Sequence, residues 1–144
     1  MQIKHTKPPN YDAIRQHFGR VVDGPGVMFT YGDTIYFPRS HGQGISQALL
    51  AHELVHSRRQ GDDPAKWWEL YLSDKLFRFE EELVAHQVEY LAACEGVGRQ
   101  QRRHSLAAIS KRLAGPLYGN MTTKAKAKLI ITGPLGGPNV ATEI

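Results

Sequence analysis

His52-Glu53-Leu54-Val55-His56, set in the longer run Ile45-Ser46-Gln47-Ala48-Leu49-Leu50-Ala51 that precedes it, is the stretch on which the fold turns. Ile45, Ala48, Leu49 and Val55 recur at helical spacing, which predicts a helix over 45–59. On a helix, residues four apart lie one above the other on the same face, so the imidazoles of His52 and His56 can reach one metal ion. Zinc accepts imidazole nitrogen, and a catalytic zinc takes three protein ligands and leaves a fourth position for water. Glu53 follows the first histidine directly and is placed to take a proton from that water instead of binding the metal.

The rest of the composition narrows the setting. The chain has 144 residues, enough for one domain with a real core. Its 41% hydrophobic and 22% charged content is that of an ordinary globular protein. No run approaches the roughly 20 apolar residues of a membrane span, and Met1-Gln2-Ile3-Lys4-His5 lacks the apolar stretch of a signal peptide. The single cysteine, Cys94, lies in a helical pattern, reads as a small core residue and fits a reducing compartment. The expectation is a cytoplasmic protein without membrane partners. The net charge of +4 collects at Arg99, Arg102, Arg103 and at Lys124, Lys126, Lys128, without interleaved aromatics or a reading motif. Such clusters are the pattern of a solvated face, which argues against nucleic acid.

Punctuation supplies the remaining elements. Tyr11 to Phe18 reads as a short helix stopped by Gly19. Val27-Met28-Phe29-Thr30-Tyr31 and Thr34-Ile35-Tyr36-Phe37 are β-rich runs around Gly32-Asp33, a two-residue hairpin loop. Asp63 is a natural N-cap with Pro64 in the first turn of a helix whose Trp67, Trp68, Leu70, Tyr71 and Leu72 read as core. Further helices are predicted over 79–95, 100–113 and, capped by Thr123, through Ile131. The class is α+β: a mostly helical domain over 1–132, with a small antiparallel hairpin or sheet near the N-terminus packed on the motif helix. A flexible Gly/Pro-rich tail is expected over 133–144.

A third metal ligand must come from outside the motif. The long variant HExxHxxGxxH is absent, because Ser57-Arg58-Arg59-Gln60-Gly61-Asp62 lacks its glycine and histidine at the required offsets. On the helix that follows, Glu82, His86 and Glu89 share one face, whereas Glu80 and Glu81 point elsewhere and read as solvated. Spacing favours Glu82 and leaves His86 and Glu89 open, since a three-histidine site is also chemically sound. If Glu82 binds, His86 or Glu89 could orient His52 or His56 through the ring nitrogen that is not on the metal.

Glu82-Leu83-Val84-Ala85-His86 resembles the ExxA(D/H/N) segment of compact glutamate-ligand zincins, the gluzincins. The run from Ala51 to Ser57, Trp68, Tyr71, Glu82 and Ala85, together with Arg112-Leu113-Ala114-Gly115-Pro116-Leu117-Tyr118-Gly119, is similar to small single-domain HExxH proteins of phages and bacteria. The resemblance covers about half the chain. It implies a zincin-like domain holding one zinc through His52, His56 and Glu82, with Ala85 letting its helix approach the motif helix and His86 standing behind the ligands. It also implies hydrolysis of peptide bonds in a protein or peptide substrate, with Glu53 as the base.

Two further roles follow from that expectation. The tetrahedral intermediate needs a protein donor beside the metal, for which Tyr118 is the first candidate and His104, Tyr90 and His41 are held in reserve. In related compact zincins the strand before the motif helix pairs with an extended substrate, which points to Thr34, Ile35, Tyr36 and Phe37 as the cleft strand. The competing expectation is a catalytically silent zincin-fold protein with a structural or vestigial zinc site, serving assembly, for instance as a virion component. The intact Glu53 speaks against it, because a purely structural site has no use for a general base.

Overall fold

The computed structural model describes residues 1–137; residues 138–144, the distal part of the expected tail, lie outside the described residues. The chain runs β1 (Gln2–Lys4), α1 (Tyr11–Phe18), a 3₁₀ turn (Gly19–Asp23), β2 (Phe29–Tyr31) and β3 (Thr34–Tyr36). There follow α2 (Gln47–Gln60), α3 (Pro64–Ser73), α4 (Lys75–Ala93), α5 (Arg99–Leu113), a second 3₁₀ turn (Pro116–Tyr118) and α6 (Lys124–Ile131). The α+β class holds, with helices dominating.

Local chemistry sets the helix ends. Ser46, Asp63, Asp74 and Thr123 each accept a hydrogen bond from a backbone N–H of the first turn they cap. Asp74 takes two, from Leu76 and Phe77, and so starts α4 four residues before the apolar pattern predicts. At the hairpin, Gly32 adopts φ 63°, a left-handed conformation that a side chain would strain.

The sheet departs from a simple hairpin. Its order is β1-β3-β2, with β1 parallel and β2 antiparallel to β3. The Gln2 N–H bonds to the Asp33 carbonyl and the Phe37 N–H to the Lys4 carbonyl, so the extreme N-terminus is tied to the far side of the hairpin. The expected antiparallel sheet is therefore mixed, and β3 is its central strand.

Two apolar clusters flank a polar layer. Tyr11, Ile14, Val22, Phe29, Trp67, Trp68 and Tyr71 form one, beneath α1 and α3. Leu83, Ile109, Leu113, Ala127 and Ile131 form the other, where α4 meets α5 and α6. Between them α2 packs along α4, and this contact carries the buried polar residues. The first part of the expected tail is docked: Gln87 donates to the Ile130 and Pro134 carbonyls and accepts from the Gly136 N–H. Among the described residues, no helix is long and apolar enough to cross a membrane. Cys94 is half-buried and free at the end of α4.

Candidate metal centre

The helix predicted around His52 and His56 forms as α2, and both imidazoles turn inward onto α4. His52 Nε2 lies 3.2 Å from His56 Nε2, and Glu82 Oε1 on α4 lies 3.4 and 3.2 Å from those two nitrogens. A tetrahedral ion with bonds of about 2.0–2.1 Å separates its ligand atoms by about 3.3 Å, so the three atoms stand at the spacing a metal demands. All three residues are buried. His52, His56 and Glu82 could hold a metal ion.

Charge bears on the same atoms. Glu53 and Glu82 are buried with no lysine or arginine paired to either among the described residues. Burial lowers the affinity of His52 for a proton, yet its hydrogen bonds to Glu82 and Glu89 and the charge of Glu53 outweigh that and hold its pKa at about 10. Burial also works against ionisation of Glu82, but His56 and His52 keep it well below the usual carboxylate range. His52 thus answers Glu82, and Glu53 is left without a cationic partner among the described residues.

Two of the three candidate ligands, His52 and Glu82, are fixed by a partner behind them. His52 Nδ1 faces Glu89 Oε1 at 2.8 Å, and the Arg112 guanidinium on α5 grips both oxygens of Glu89. Glu89 therefore orients His52, the alternative role left open for it. Tyr71 on α3 donates to Glu82 Oε2 at 2.7 Å, leaving Oε1 toward the histidines. His56 Nδ1 is buried without a hydrogen-bond partner, so support of the two histidines is unequal.

His86 is used differently from a ligand in this triad. Its Nδ1 lies 2.6 Å from the Glu82 carbonyl, and its ring packs edge-on against His52 at 4.7 Å and Tyr118 at 5.3 Å. Burial and then the charge of His52 hold it down at about 3, so it is neutral. His86, His52 and Glu89 form a second cluster of potential donors, with Glu89 already committed to Arg112.

Glu53 lies beside the triad without joining it. Thr30 on β2 donates its hydroxyl to Glu53 Oε2 at 2.6 Å. The Thr30 carbonyl accepts from Gln60 Nε2 at 2.7 Å and Trp68 Nε1 at 3.0 Å, so β2 is clamped against α2 and α3. A narrow cavity of about 50 Å³, room for a few waters, opens on His52, Glu53, His56, Glu82, Tyr71 and Tyr118. Burial and then Glu82 push the hydroxyls of Tyr71 and Tyr118 well above the usual tyrosine value, so both stay protonated donors. Tyr118 thus lines the cavity with its hydroxyl protonated. Of the reserves, His104 and His41 are exposed, and neither they nor Tyr90 line the cavity.

Two expectations need correction. Thr34, Ile35, Tyr36 and Phe37 cannot border the cleft as a free edge, because β3 is paired on one side with β2 and on the other with β1, and Ile35 is fully buried. The strand on the cavity is β2, which among the described residues pairs with no strand but β3 and whose Phe29 and Thr30 line the wall with Met28 before them. Glu81 is buried instead of solvated: it accepts from Trp67 Nε1 at 2.7 Å and pairs with Arg59, binding α4 to α3 and α2.

Thr30, Tyr71 and Arg112 escaped sequence reading as site residues. Thr30 comes from a remote element and carries no local signal, while Arg112 opens the run likened above to small HExxH proteins without anything there marking it as the partner of Glu89. Tyr71 did carry one, since a tyrosine in an apolar segment needs a partner for its hydroxyl. In comparison with known proteins, the chain matches no family model, no curated protein and no solved structure.

Proposed function

We propose that the chain is a zinc-dependent peptidase of the compact gluzincin type, with His52, His56 and Glu82 as ligands and Glu53 as general base. The observation that carries this reading is the convergence of His52 Nε2, His56 Nε2 and Glu82 Oε1 to 3.2–3.4 Å beside a carboxylate that is free of the triad. Two imidazoles and one carboxylate suit zinc, and three ligands leave a position open.

Zinc, when bound, supplies Lewis acidity toward a scissile carbonyl and toward water. The residues do the rest. Glu53, steadied by the Thr30 hydroxyl, accepts a proton from the attacking water and hands it to the leaving amine. Tyr118 is a neutral donor for the developing oxyanion, while Tyr71 is occupied with Glu82. An extended substrate pairs with the outer edge of β2. Gln60 and Trp68 already hold the Thr30 carbonyl, and Gln60 the Gly32 N–H, so the edge is open only at its Met28 end.

Metal content by mass spectrometry, with wild type beside Glu82→Ala and Glu53→Gln, tests the reading. One zinc per chain is expected in wild type and in Glu53→Gln, with loss or weakening in Glu82→Ala. Peptide turnover is expected in wild type alone. A wild-type chain that takes no zinc after reconstitution, or a Glu53→Gln variant with full turnover, would overturn it.

A further inference from the structure

Arg78 is only 3% exposed, and among the described residues its guanidinium makes no ion pair with a carboxylate. Its hydrogen bonds all run through Nη1, to the carbonyls of Tyr71 and Leu72 at the end of α3 and, at 3.5 Å, to His17 Nε2. Capping α3 therefore uses one corner of the group. An arginine carries five N–H donors, and the edge formed by Nε and Nη2 is the fork that grips a carboxylate with two parallel bonds. Here Nε is buried and donates to nothing. A buried cation without a counter-charge is costly, which makes an anionic partner favourable.

The surroundings fit that partner. Arg78 lines an open pocket of about 600 Å³ together with Lys75, His17 and Asn120. Partial burial and then Arg78 and Lys75 hold His17 below the usual histidine value, a sign of positive potential around the pocket. Phe18 belongs to the walls of both this pocket and the metal cavity, and the turn carrying Tyr118 separates them, with Pro116 and Gly119 on this side. Arg78 precedes the ligand Glu82 by one helical turn of α4, about 6 Å along the axis.

We infer that Arg78, with Lys75, forms a carboxylate-binding subsite beside the metal centre, and that the peptides this chain takes carry a carboxylate close to the scissile bond. The substrate class rests on the peptidase reading; the subsite does not. Two sources offer the same chemistry, an acidic side chain or a free C-terminal carboxylate.

The experiment follows the Arg78 Nε–H resonance by NMR in the full Glu53→Gln chain supplied with zinc. Three matched probes are titrated: N-acetyl-glutamate α-amide, N-acetyl-glutamine free acid and the neutral N-acetyl-glutamine amide. Either acid should move the resonance and bind about tenfold more tightly than the neutral amide. Whichever of the two binds more tightly identifies the source. Lys75→Gln, an exposed change that spares the α3 cap, should weaken binding about threefold. Arg78→Lys, which keeps the charge but removes the fork and the Nε–H probe, is followed through the backbone amide of residue 75 and should lose most of the preference for the acids. An unmoved resonance with both acids, or a shift that disappears when zinc is chelated, overturns the subsite. Carboxylate binding without peptide turnover by zinc-loaded wild type leaves the subsite standing and removes the peptidase reading.

Discussion

Zinc affinity should depend on Arg112, a residue that touches no proposed ligand. His52 presents Nε2 to the metal position because its Nδ1 faces Glu89 Oε1 at 2.8 Å, and Arg112 holds that carboxylate with both terminal nitrogens. Glu89→Ala removes the acceptor and frees the ring to turn. Loss of such a supporting carboxylate typically weakens metal binding by about 10–100-fold, or about 1.4–2.7 kcal/mol. Arg112→Met leaves the His52–Glu89 contact in place and removes only its brace. Because the Arg112 side chain is 40% exposed, water replaces part of the lost interaction, and about threefold to tenfold is expected. Glu89→Gln is no neutral control, since its amide would present N–H to either Arg112 or His52. The decisive member of the series is the double variant. If Arg112 acts only through Glu89, then Glu89→Ala with Arg112→Met binds zinc no worse than Glu89→Ala alone. Competition against a chromophoric chelator reads all four affinities. Wild-type affinity in Glu89→Ala, or strict additivity in the double variant, refutes the relay.

Three further outcomes are expected. Thr30→Val removes the 2.6 Å hydrogen bond to Glu53 and should lower kcat about tenfold with zinc content unchanged; an unaltered kcat would show that Glu53 needs no such support. Chelation should lower the melting temperature by about 10 °C relative to protein held at a hundredfold excess of zinc over its Kd, the equivalent of about 2.7 kcal/mol, and identical melting curves would refute metal binding. Met28→Pro removes a backbone donor at the open end of β2 and should raise KM for an extended peptide about tenfold without loss of zinc. An unchanged KM would exclude this edge as the binding strand.

What the sequence disclosed and what it withheld divide along locality. The caps at Asp63 and Thr123 and the stop at Gly19 are decided by neighbours within one turn, and those helix ends lie where they were expected. So is the stacking of His52 over His56, which needs only a helix. The start of α4 was missed because Lys75, Leu76, Phe77 and Arg78 do not continue its apolar pattern, although Asp74 was there to cap it. β1 was missed for a different reason: Gln2-Ile3-Lys4 is exposed and owes its strand geometry to pairing with residues some thirty positions away. That same pairing turned β3 into the central strand and passed the cavity wall to β2. Arg112, too, matters only because α5 brings it against Glu89, which no periodicity encodes.

Charge ties the two pockets together. Of the carboxylates buried where α2, α3 and α4 meet, Glu81 is answered by Arg59 and Trp67, and Glu89 by Arg112 and His52. Glu53 and Glu82 face the cavity with no guanidinium or ammonium beside them. One turn away on α4, Arg78 has the opposite deficit, a buried cation without an anion. Tyr71 stands between them, its hydroxyl on Glu82 and its carbonyl on Arg78, so the two excesses are kept apart by a neutral ring. Held apart in this way, Glu82 is left to the metal ion proposed at the triad and Arg78 to the carboxylate proposed at the second pocket, two opposite charges one turn apart on the same helix.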